Sequence, residues 1–154
     1  QQKMSDCLRQ VESRGGAVCY LLIGLQEGEA LRRQYGNGFW NEVLHGVARR
    51  LQQLVRPLDV LTRLDDHHFG LLTLPSDLQE CSPTSFRRLH EGLNLKAFKT
   101  SEGFISLKAG ISLVGMDAQS LPVTPETLFE RASALLPEAC SSGRINAVRL
   151  PKVQ

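Results

Sequence analysis

A polar tetrad, Asp65-Asp66-His67-His68, stands between two short apolar segments at 59–63 and 68–74. Apolar runs of this length on either side of a polar turn predict the two strands of a β-hairpin. A connection this short joins antiparallel strands, because parallel neighbours need a crossover of about a dozen residues or more. Any sheet that this chain forms therefore contains at least one antiparallel pair.

Helical and strand patterns alternate along the rest of the chain. The strongest helix signal is an apolar stripe from Trp40 to Val55, which Pro57 ends, and we assign Trp40 to the core. The continuous apolar run 17–23 is typical of a buried strand. Further helices are predicted around 4–14, 26–34, 83–93 and 125–139, the last kinked or ended by Pro137, and further strands at 104–114 and 147–150. This order predicts an α/β (α+β) sandwich with a central, mostly antiparallel sheet of about five strands flanked by helices.

Composition narrows the class of protein. With 154 residues, 42% hydrophobic and 22% charged, the chain suits one soluble globular domain spanning 1–154. The formal net charge of +2 gives no reason to expect nucleic acid as a partner. No apolar run approaches the roughly 20 residues of a membrane span. The cysteines include no CxxC pair, so we expect reduced, structural thiols in a cytoplasmic domain at Cys7, Cys19, Cys81 and Cys140.

The hairpin segment resembles the signature of GGDEF domains, the diguanylate cyclase family. Arg56 and Asp59 match the family's RxxD motif, Arg63 matches the arginine that follows it, and Phe69 matches the last residue of GGDEF. The tetrad stands in place of the first four residues, so that the motif reads DDHHF. Segments similar to the family pattern recur over nearly the whole chain, at 35–44, 47–51, 109–112, 128–132 and 143–144.

The resemblance also marks departures from the family's catalytic pattern. The family holds divalent metal on GTP with two carboxylates, and their positions are Gly24 and His67 here. Glycine and imidazole do not replace carboxylates as ligands for Mg²⁺. Asp65 and Asp66 replace the glycines that admit the nucleotide, and His68 replaces the last glutamate. Positions that contact guanine and phosphate in the family fall at Arg32, Asn41 and Cys140, although Arg144 is kept. We therefore expect an inactive domain rather than an enzyme, with no catalytic residues, no metal and no cofactor.

The retained RxxD motif implies a different role. In active relatives this motif is the inhibitory site for the product, cyclic di-GMP. Arginine donates two parallel hydrogen bonds to guanine or contacts a phosphate, and aspartate accepts from the guanine N1–H and amine. Arg87 or Arg88, on the following helix, would add a second cation. We predict a regulatory module of cyclic di-GMP signalling that binds cyclic di-GMP through Arg56, Asp59, Arg87 and Arg88.

A second interpretation stays open. The domain would then bind no nucleotide and would act in protein interaction or dimerisation, coupling a sensor to an output such as an EAL phosphodiesterase domain. Both interpretations place 1–154 as one degenerate GGDEF domain within a larger bacterial signalling protein. Both name its partners as other domains of that protein or a separate signalling protein, and both are compatible with a homodimer.

Overall fold

The computed structural model describes residues 2–120 and 122–151. Its helices are α1 (Gln2–Arg14), α2 (Gly28–Tyr35), α3 (Asn37–Leu54), α4 (Arg87–Asn94) and α5 (Pro125–Ser142). Its strands are β1 (Ala17–Leu25), β2 (Val60–Arg63), β3 (His68–Thr73), β4 (Phe98–Thr100), β5 (Gly103–Ile105), β6 (Ala109–Asp117) and β7 (Ile145–Arg149). Short 3₁₀ turns lie at Leu78–Glu80, Pro83–Phe86 and Ala118–Ser120. Within the described ranges, no helix is both long and apolar enough to cross a membrane.

A five-stranded sheet in the order β2-β3-β1-β6-β7 forms the centre of the molecule. β1 pairs antiparallel with β3 and with β6, β2 pairs antiparallel with β3, and β7 runs parallel to β6. The predicted fold class and the predicted hairpin are therefore confirmed. All nine residues of β1 are buried, because helices cover both faces of this central strand. That position explains its uninterrupted apolar sequence.

The two faces of the sheet carry separate halves of the core. Alternate side chains point to opposite faces of a strand. Cys19, Leu21 and Ile23 of β1 therefore pack on the side of α3 and α4, among residues that include the fully buried Trp40. Tyr20 and its neighbours of the same parity pack on the side of α1 and α5. The assignment of Trp40 to the core is confirmed.

The predicted strand 104–114 is wrong in its first part. Residues 103–105 form β5, which turns back on β4 as a separate two-stranded hairpin, and the sheet strand β6 begins at Ala109. Gly103, with φ at +94°, lies where β5 begins, in a conformation that other residues seldom adopt. The predicted effect of Pro137 is also wrong in part, because α5 continues through it to Ser142.

The cysteines correct another expectation. The structure joins Cys19 to Cys81 as a disulfide, so the prediction of four reduced thiols is wrong for this pair. Cys81 follows the 3₁₀ turn at Leu78–Glu80, where the chain crosses the face of the sheet to which Cys19 points. The two cysteines are separated by 62 positions, so no local spacing could show the pairing. Cys7 and Cys140 are free and half-buried.

Candidate functional site

The tetrad lies at one edge of the sheet. Gly24, near the end of β1, pairs with His68 at the start of β3, and Leu25 pairs with Ala109 at the start of β6. The turn 64–67 therefore lies where β1 leaves the sheet, and α2 begins three residues beyond that point. The folding of β1, the hairpin and α2 brings the tetrad next to residues 28–32.

Asp66 links this turn to two arginines. Its exposed carboxylate accepts from Nη2 of Arg32 on α2 at 3.0 Å and from Nη2 of Arg63 on β2 at 2.9 Å. The hydrogen bonds from Arg63 and Arg32 hold the pKa of Asp66 below its usual value. Arg32 also donates to the Glu29 carboxylate one turn earlier on α2, at 3.2 Å. Arg32, which occupies a position that the family resemblance assigns to guanine recognition, thus donates to Asp66 of the tetrad instead.

His67 closes a second link between the turn and α2. Its Nε2 lies 3.1 Å from Oε1 of Glu29. Its ring also lies near Trp40 in a tilted arrangement, with the ring centroids 5.8 Å apart, and the Trp40 Nε1–H donates to the backbone carbonyl of Asp66 at 2.9 Å. Gly28 leaves room for these rings, since a Cβ there would lie 2.7 Å from both the His67 Nδ1 and the Trp40 Cζ2. We call Glu29, Arg32, Arg63 and residues 65–68 the tetrad cluster.

Asp65 and His68 form the remaining contact of the turn. The Asp65 carboxylate accepts from the His67 backbone N–H at 2.8 Å and contacts Nδ1 of His68 at 2.8 Å. Partial burial would raise the pKa of Asp65, but the hydrogen bonds from His67 and His68 outweigh burial and lower it. Both aspartates of the tetrad are therefore held as carboxylates by neighbouring donors.

The residues at this edge do not fit the magnesium site that the family resemblance implies. Among the side chains that the structure describes, no three of His, Cys, Asp and Glu converge on one point. Gly24 offers no side-chain oxygen and packs against α5, where a Cβ would lie 3.0 Å from a methyl carbon of Leu136. Mg²⁺ needs oxygen ligands in near-octahedral geometry, and the carboxylates of Asp65 and Asp66 already serve His68 and the arginines.

The other positions compared with the family make no side-chain bond to the tetrad, although Cys140 lines the same depression as Asp65 and His68. Asn41 is exposed on α3, and it makes no side-chain hydrogen bond among the described residues. Cys140 is half-buried near the end of α5 against Gly110, and burial raises the pKa of its thiol. Arg144 follows α5 and is exposed. Neither Asn41 nor Arg144 makes a side-chain bond to the tetrad cluster.

The RxxD motif forms a tight turn between α3 and β2. The Asp59 carboxylate accepts from the Arg56 backbone N–H through Oδ2 at 2.9 Å, and the Asp59 N–H donates to the Arg56 carbonyl at 3.0 Å. The Arg56 side chain is exposed, and Leu58 at the tip of the turn is 90% exposed. Within the described ranges the Arg56 guanidinium makes no hydrogen bond or ion pair. The motif therefore stabilises its own turn and leaves Oδ1 of Asp59 and the guanidinium open to solvent.

Contacts between α3 and α4 set the relative direction of these two helices. Arg50 donates from Nη1 to the carbonyls of Gly92 at 3.0 Å and Lys96 at 2.6 Å. One turn further along α3, Leu54 packs on Gly92. A Cβ added at Gly92 would lie only 2.6 Å from the Leu54 Cδ1. Arg50 therefore reaches the end of α4, whereas Leu54, which lies nearer the end of α3, contacts α4 closer to its start. The two helices run antiparallel.

This antiparallel packing gives different surroundings to Arg87 and Arg88, which the sequence left as alternatives for the second cation. Arg88 precedes Gly92 by one turn, so it lies on the helix face that packs on Leu54 near the end of α3. Arg87 lies instead in a depression that also contains His90 and Arg144. Sequence reasoning did not assign a role to Arg50 or to Glu29, and the only local signal was the charged residue itself on a predicted helix.

Comparison with known proteins places the chain in a family. The model of the family described as "Diguanylate cyclase, GGDEF domain" matches residues 1–146. The chain is 29% identical over 133 residues to diguanylate cyclase VdcA of Vibrio cholerae, covering 84% of this chain and 38% of VdcA. The chain belongs to the GGDEF family.

Solved structures agree on the fold. The GGDEF domain of PA1120 (TpbB or YfiN) from Pseudomonas aeruginosa superposes with a TM-score of 0.82 at 18% identity, covering 97% of this chain and 86% of that one. The GGDEF domain of DgcB from Caulobacter crescentus, solved in complex with c-di-GMP, gives a TM-score of 0.77 at 16% identity, covering 95% and 84%.

These comparisons correct the expectation that the chain is not an enzyme. VdcA is named a diguanylate cyclase, and the description of the matching family is that of the same enzyme. The chain's relatives and the family that it matches are therefore enzymes by name. The chain spans less than half the length of VdcA.

Proposed function

We propose that this domain is a regulatory module of cyclic di-GMP signalling that binds cyclic di-GMP at Arg56, Asp59 and Arg88. The observation that carries the proposal is the turn at 56–59, where the exposed Arg56 guanidinium makes no bond within the described residues and Asp59 uses one carboxylate oxygen to accept from the Arg56 backbone N–H. Family membership and the c-di-GMP complex of DgcB support it. We place the domain in the cytoplasm, as one part of a longer signalling protein.

The chemistry of the turn matches this ligand. The Arg56 guanidinium can donate two parallel hydrogen bonds to O6 and N7 of a guanine, and Asp59 Oδ1 can accept from the N1–H edge of the same base or its stacked neighbour. Cyclic di-GMP also carries two phosphates, for which Arg88 provides a second cation. Glu80 is close enough for Arg56 to help lower its pKa, although hydrogen bonds from Ser76 contribute more. Glu80 is held by Ser76 at 2.8 Å, so the guanidinium stays available.

The packing of α4 on α3 supports Arg88 rather than Arg87 as the second cation of the proposed site. Arg88 and Arg87 are adjacent in sequence and both exposed, and Arg88 falls one turn before Gly92, the residue of α4 that packs on Leu54. Arg87 therefore serves as a matched control that removes the same charge from the same helix.

Calorimetric titration of cyclic di-GMP into four proteins tests the proposal: the wild type and the variants Arg56→Ala, Arg88→Ala and Arg87→Ala. Loss of a bidentate contact costs about 1–3 kcal/mol, so Arg56→Ala should bind roughly ten- to hundredfold more weakly. Arg88→Ala should also bind more weakly, and Arg87→Ala should bind as the wild type does. No heat from the wild type at high micromolar ligand, or equal binding by all four proteins, would favour the nucleotide-free interaction domain.

A further inference from the structure

A cavity of about 200 Å³ opens between α1, α5 and the hairpin of β2 and β3. It lies on the α1 and α5 side of the sheet, whereas α4, which carries Arg88, packs on the opposite side. The cavity is therefore separate from the site proposed at 56–59. Its lining is mostly apolar and includes Tyr20, Val60, Leu64, Gly70, Leu72 and Phe129.

Gly70 is the reason that the sheet leaves space at this point. Leu22 of β1 and Thr62 of β2 pair with it from either side, so Gly70 is the bare position in a row of residues that crosses three strands. The Tyr20 side chain covers part of this position, because a Cβ on Gly70 would lie 2.7 Å from the Tyr20 hydroxyl oxygen. The hydroxyl group therefore lies at the floor of the cavity.

Tyr20 brings a polar group into apolar surroundings. Its side chain is only 5% exposed, and among the residues that the structure describes its hydroxyl makes no hydrogen bond. Buried tyrosine hydroxyls usually have a partner, because an unmade hydrogen bond costs free energy. Burial raises the pKa of Tyr20 to about 12, so the hydroxyl keeps its proton at neutral pH and acts as a donor. The cavity thus contains a donor for which the protein supplies no acceptor.

Two further donors lie at the opening of the cavity. Thr62 points to the same face of the sheet as Gly70, with which it pairs, and Lys3 lines the opening from α1. Both side chains are exposed, and no acidic residue lines the cavity. Lys3 makes no ion pair within the described part of the chain. Two hydroxyl donors and an ammonium group without an acidic neighbour favour a carboxylate as their partner.

We propose that this cavity binds a small apolar carboxylic acid. Its carboxylate accepts hydrogen bonds from the hydroxyls of Tyr20 and Thr62 and is neutralised by Lys3 at the opening, while its apolar body packs against Leu72 and Phe129. An apolar cavity of roughly 150 Å³ is enough to hold benzene, so this cavity suits an acid with one ring or a short acyl chain. Burial of the apolar body favours binding, and the polar groups select the carboxylate. The site does not depend on cyclic di-GMP binding at 56–59.

NMR titration of the full chain with sodium hexanoate, at constant ionic strength, tests this assignment. The backbone amides of 60–64 and 70–72 should shift in a saturable way, at about millimolar concentration for so small a ligand. Tyr20→Phe removes only the hydroxyl, and it should weaken binding about tenfold to hundredfold, the loss of one hydrogen bond to a charged group. Tyr35→Phe, which removes the other tyrosine hydroxyl at the end of α2, should bind as the wild type does.

Two further ligands separate the contributions of the charge and of the apolar body. Hexan-1-ol has the chain without the carboxylate, and acetate has the carboxylate without the chain, so both should bind more weakly than hexanoate. Lys3→Gln should weaken the binding of hexanoate and leave the binding of hexan-1-ol unchanged, because only the acid carries the charge that Lys3 neutralises.

The amide spectrum of each variant reports whether it is folded. Tyr20→Phe should also unfold at the same urea concentration as the wild type, since the hydroxyl has no partner in the protein. The proposal is overturned if hexanoate causes no saturable shift, if hexan-1-ol or acetate binds as tightly as hexanoate, or if Tyr20→Phe and Tyr35→Phe bind alike. A clear loss of stability in Tyr20→Phe would also overturn it, because the hydroxyl would then serve the fold rather than a ligand.

Discussion

Arg50 fastens α4 and the start of β4 to α3, and we predict that replacing it with methionine destabilises the domain substantially. Besides its bonds to Gly92 and Lys96, Arg50 donates from Nη2 to the Ala97 carbonyl at 2.7 Å. The guanidinium lies 3.6 Å from the centre of the Phe98 ring. Burial lowers the pKa of Arg50, as expected for a cation held between helix and strand. Methionine keeps an unbranched apolar stem and removes the guanidinium, with its hydrogen-bond donors and its charge over the Phe98 ring.

The expected loss follows from these contacts. The bond to the part-buried Gly92 carbonyl is charge-assisted and contributes about 1.5 kcal/mol. The bonds to the two exposed carbonyls contribute less, about 0.5 kcal/mol each, because water replaces the arginine there. Stacking on Phe98 adds about 0.5 kcal/mol. Arg50→Met should therefore lower the free energy of unfolding by about 3 kcal/mol.

Urea denaturation followed by the fluorescence of the single tryptophan, Trp40, measures this change. With a slope of about 2 kcal/mol per molar urea, the midpoint should fall by about 1.5 M. Arg49→Met is the matched control, because Arg49 is the preceding, exposed residue of the same helix, and its replacement should change stability by less than about 0.5 kcal/mol. A loss below about 1 kcal/mol in Arg50→Met, or equal losses in the two variants, would refute the reasoning.

Three further predictions concern other contacts. Gly110→Ala should lose about 1–3 kcal/mol in the same urea assay, because its Cβ would lie 2.7 Å from the Cys140 backbone nitrogen; an unchanged midpoint contradicts this. Breaking the disulfide that joins Cys19 to Cys81 with reductant should cost about 4 kcal/mol, since the pair closes a loop across 62 positions; thiol titration of the unfolded, unreduced chain should find two free groups rather than four. The depressed pKa of Asp66 adds stability above its ordinary value of 3.8 that is lost as pH falls through the lower folded value. Asp66→Asn should therefore flatten the acid side of the stability profile, and an unchanged profile argues against the contacts of Asp66 with Arg32 and Arg63.

The class of fold followed from local patterns. The apolar stripe from Trp40 to Val55, the buried run from Ala17 and the Thr124-Pro125 start of α5 each reflect interactions within a few residues, and each appears where expected. In α5 the Thr124 side chain accepts from the Thr127 backbone N–H at 3.1 Å, as an N-cap does. The spaced motifs around Arg56 and Phe69 then indicated the family, and the match of the family model to residues 1–146 confirms it.

The candidate sites depended on contacts that no local pattern encodes. Asp66 meets Arg32 across 34 positions, and Arg50 meets Gly92 across 42. Such pairs form only after β1, the hairpin and α3 have packed, because side-chain reach is short and the chain must first fold back on itself.

What the sequence alone determined is the helices, the buried strands of the central sheet, the antiparallel hairpin at 59–74 and the family, because periodicity, capping residues and motif spacing are properties of neighbouring positions; it missed the separate hairpin of β4 and β5. Tertiary structure alone decided which face of α4 packs on α3. Arg87 and Arg88 are adjacent in sequence, yet Arg87 lines a depression with Arg144, whereas Arg88 falls one turn before Gly92, the residue of α4 that packs on Leu54. A helix rotates by about 100° per residue, so adjacent side chains reach different surfaces once the packed face of the helix is set.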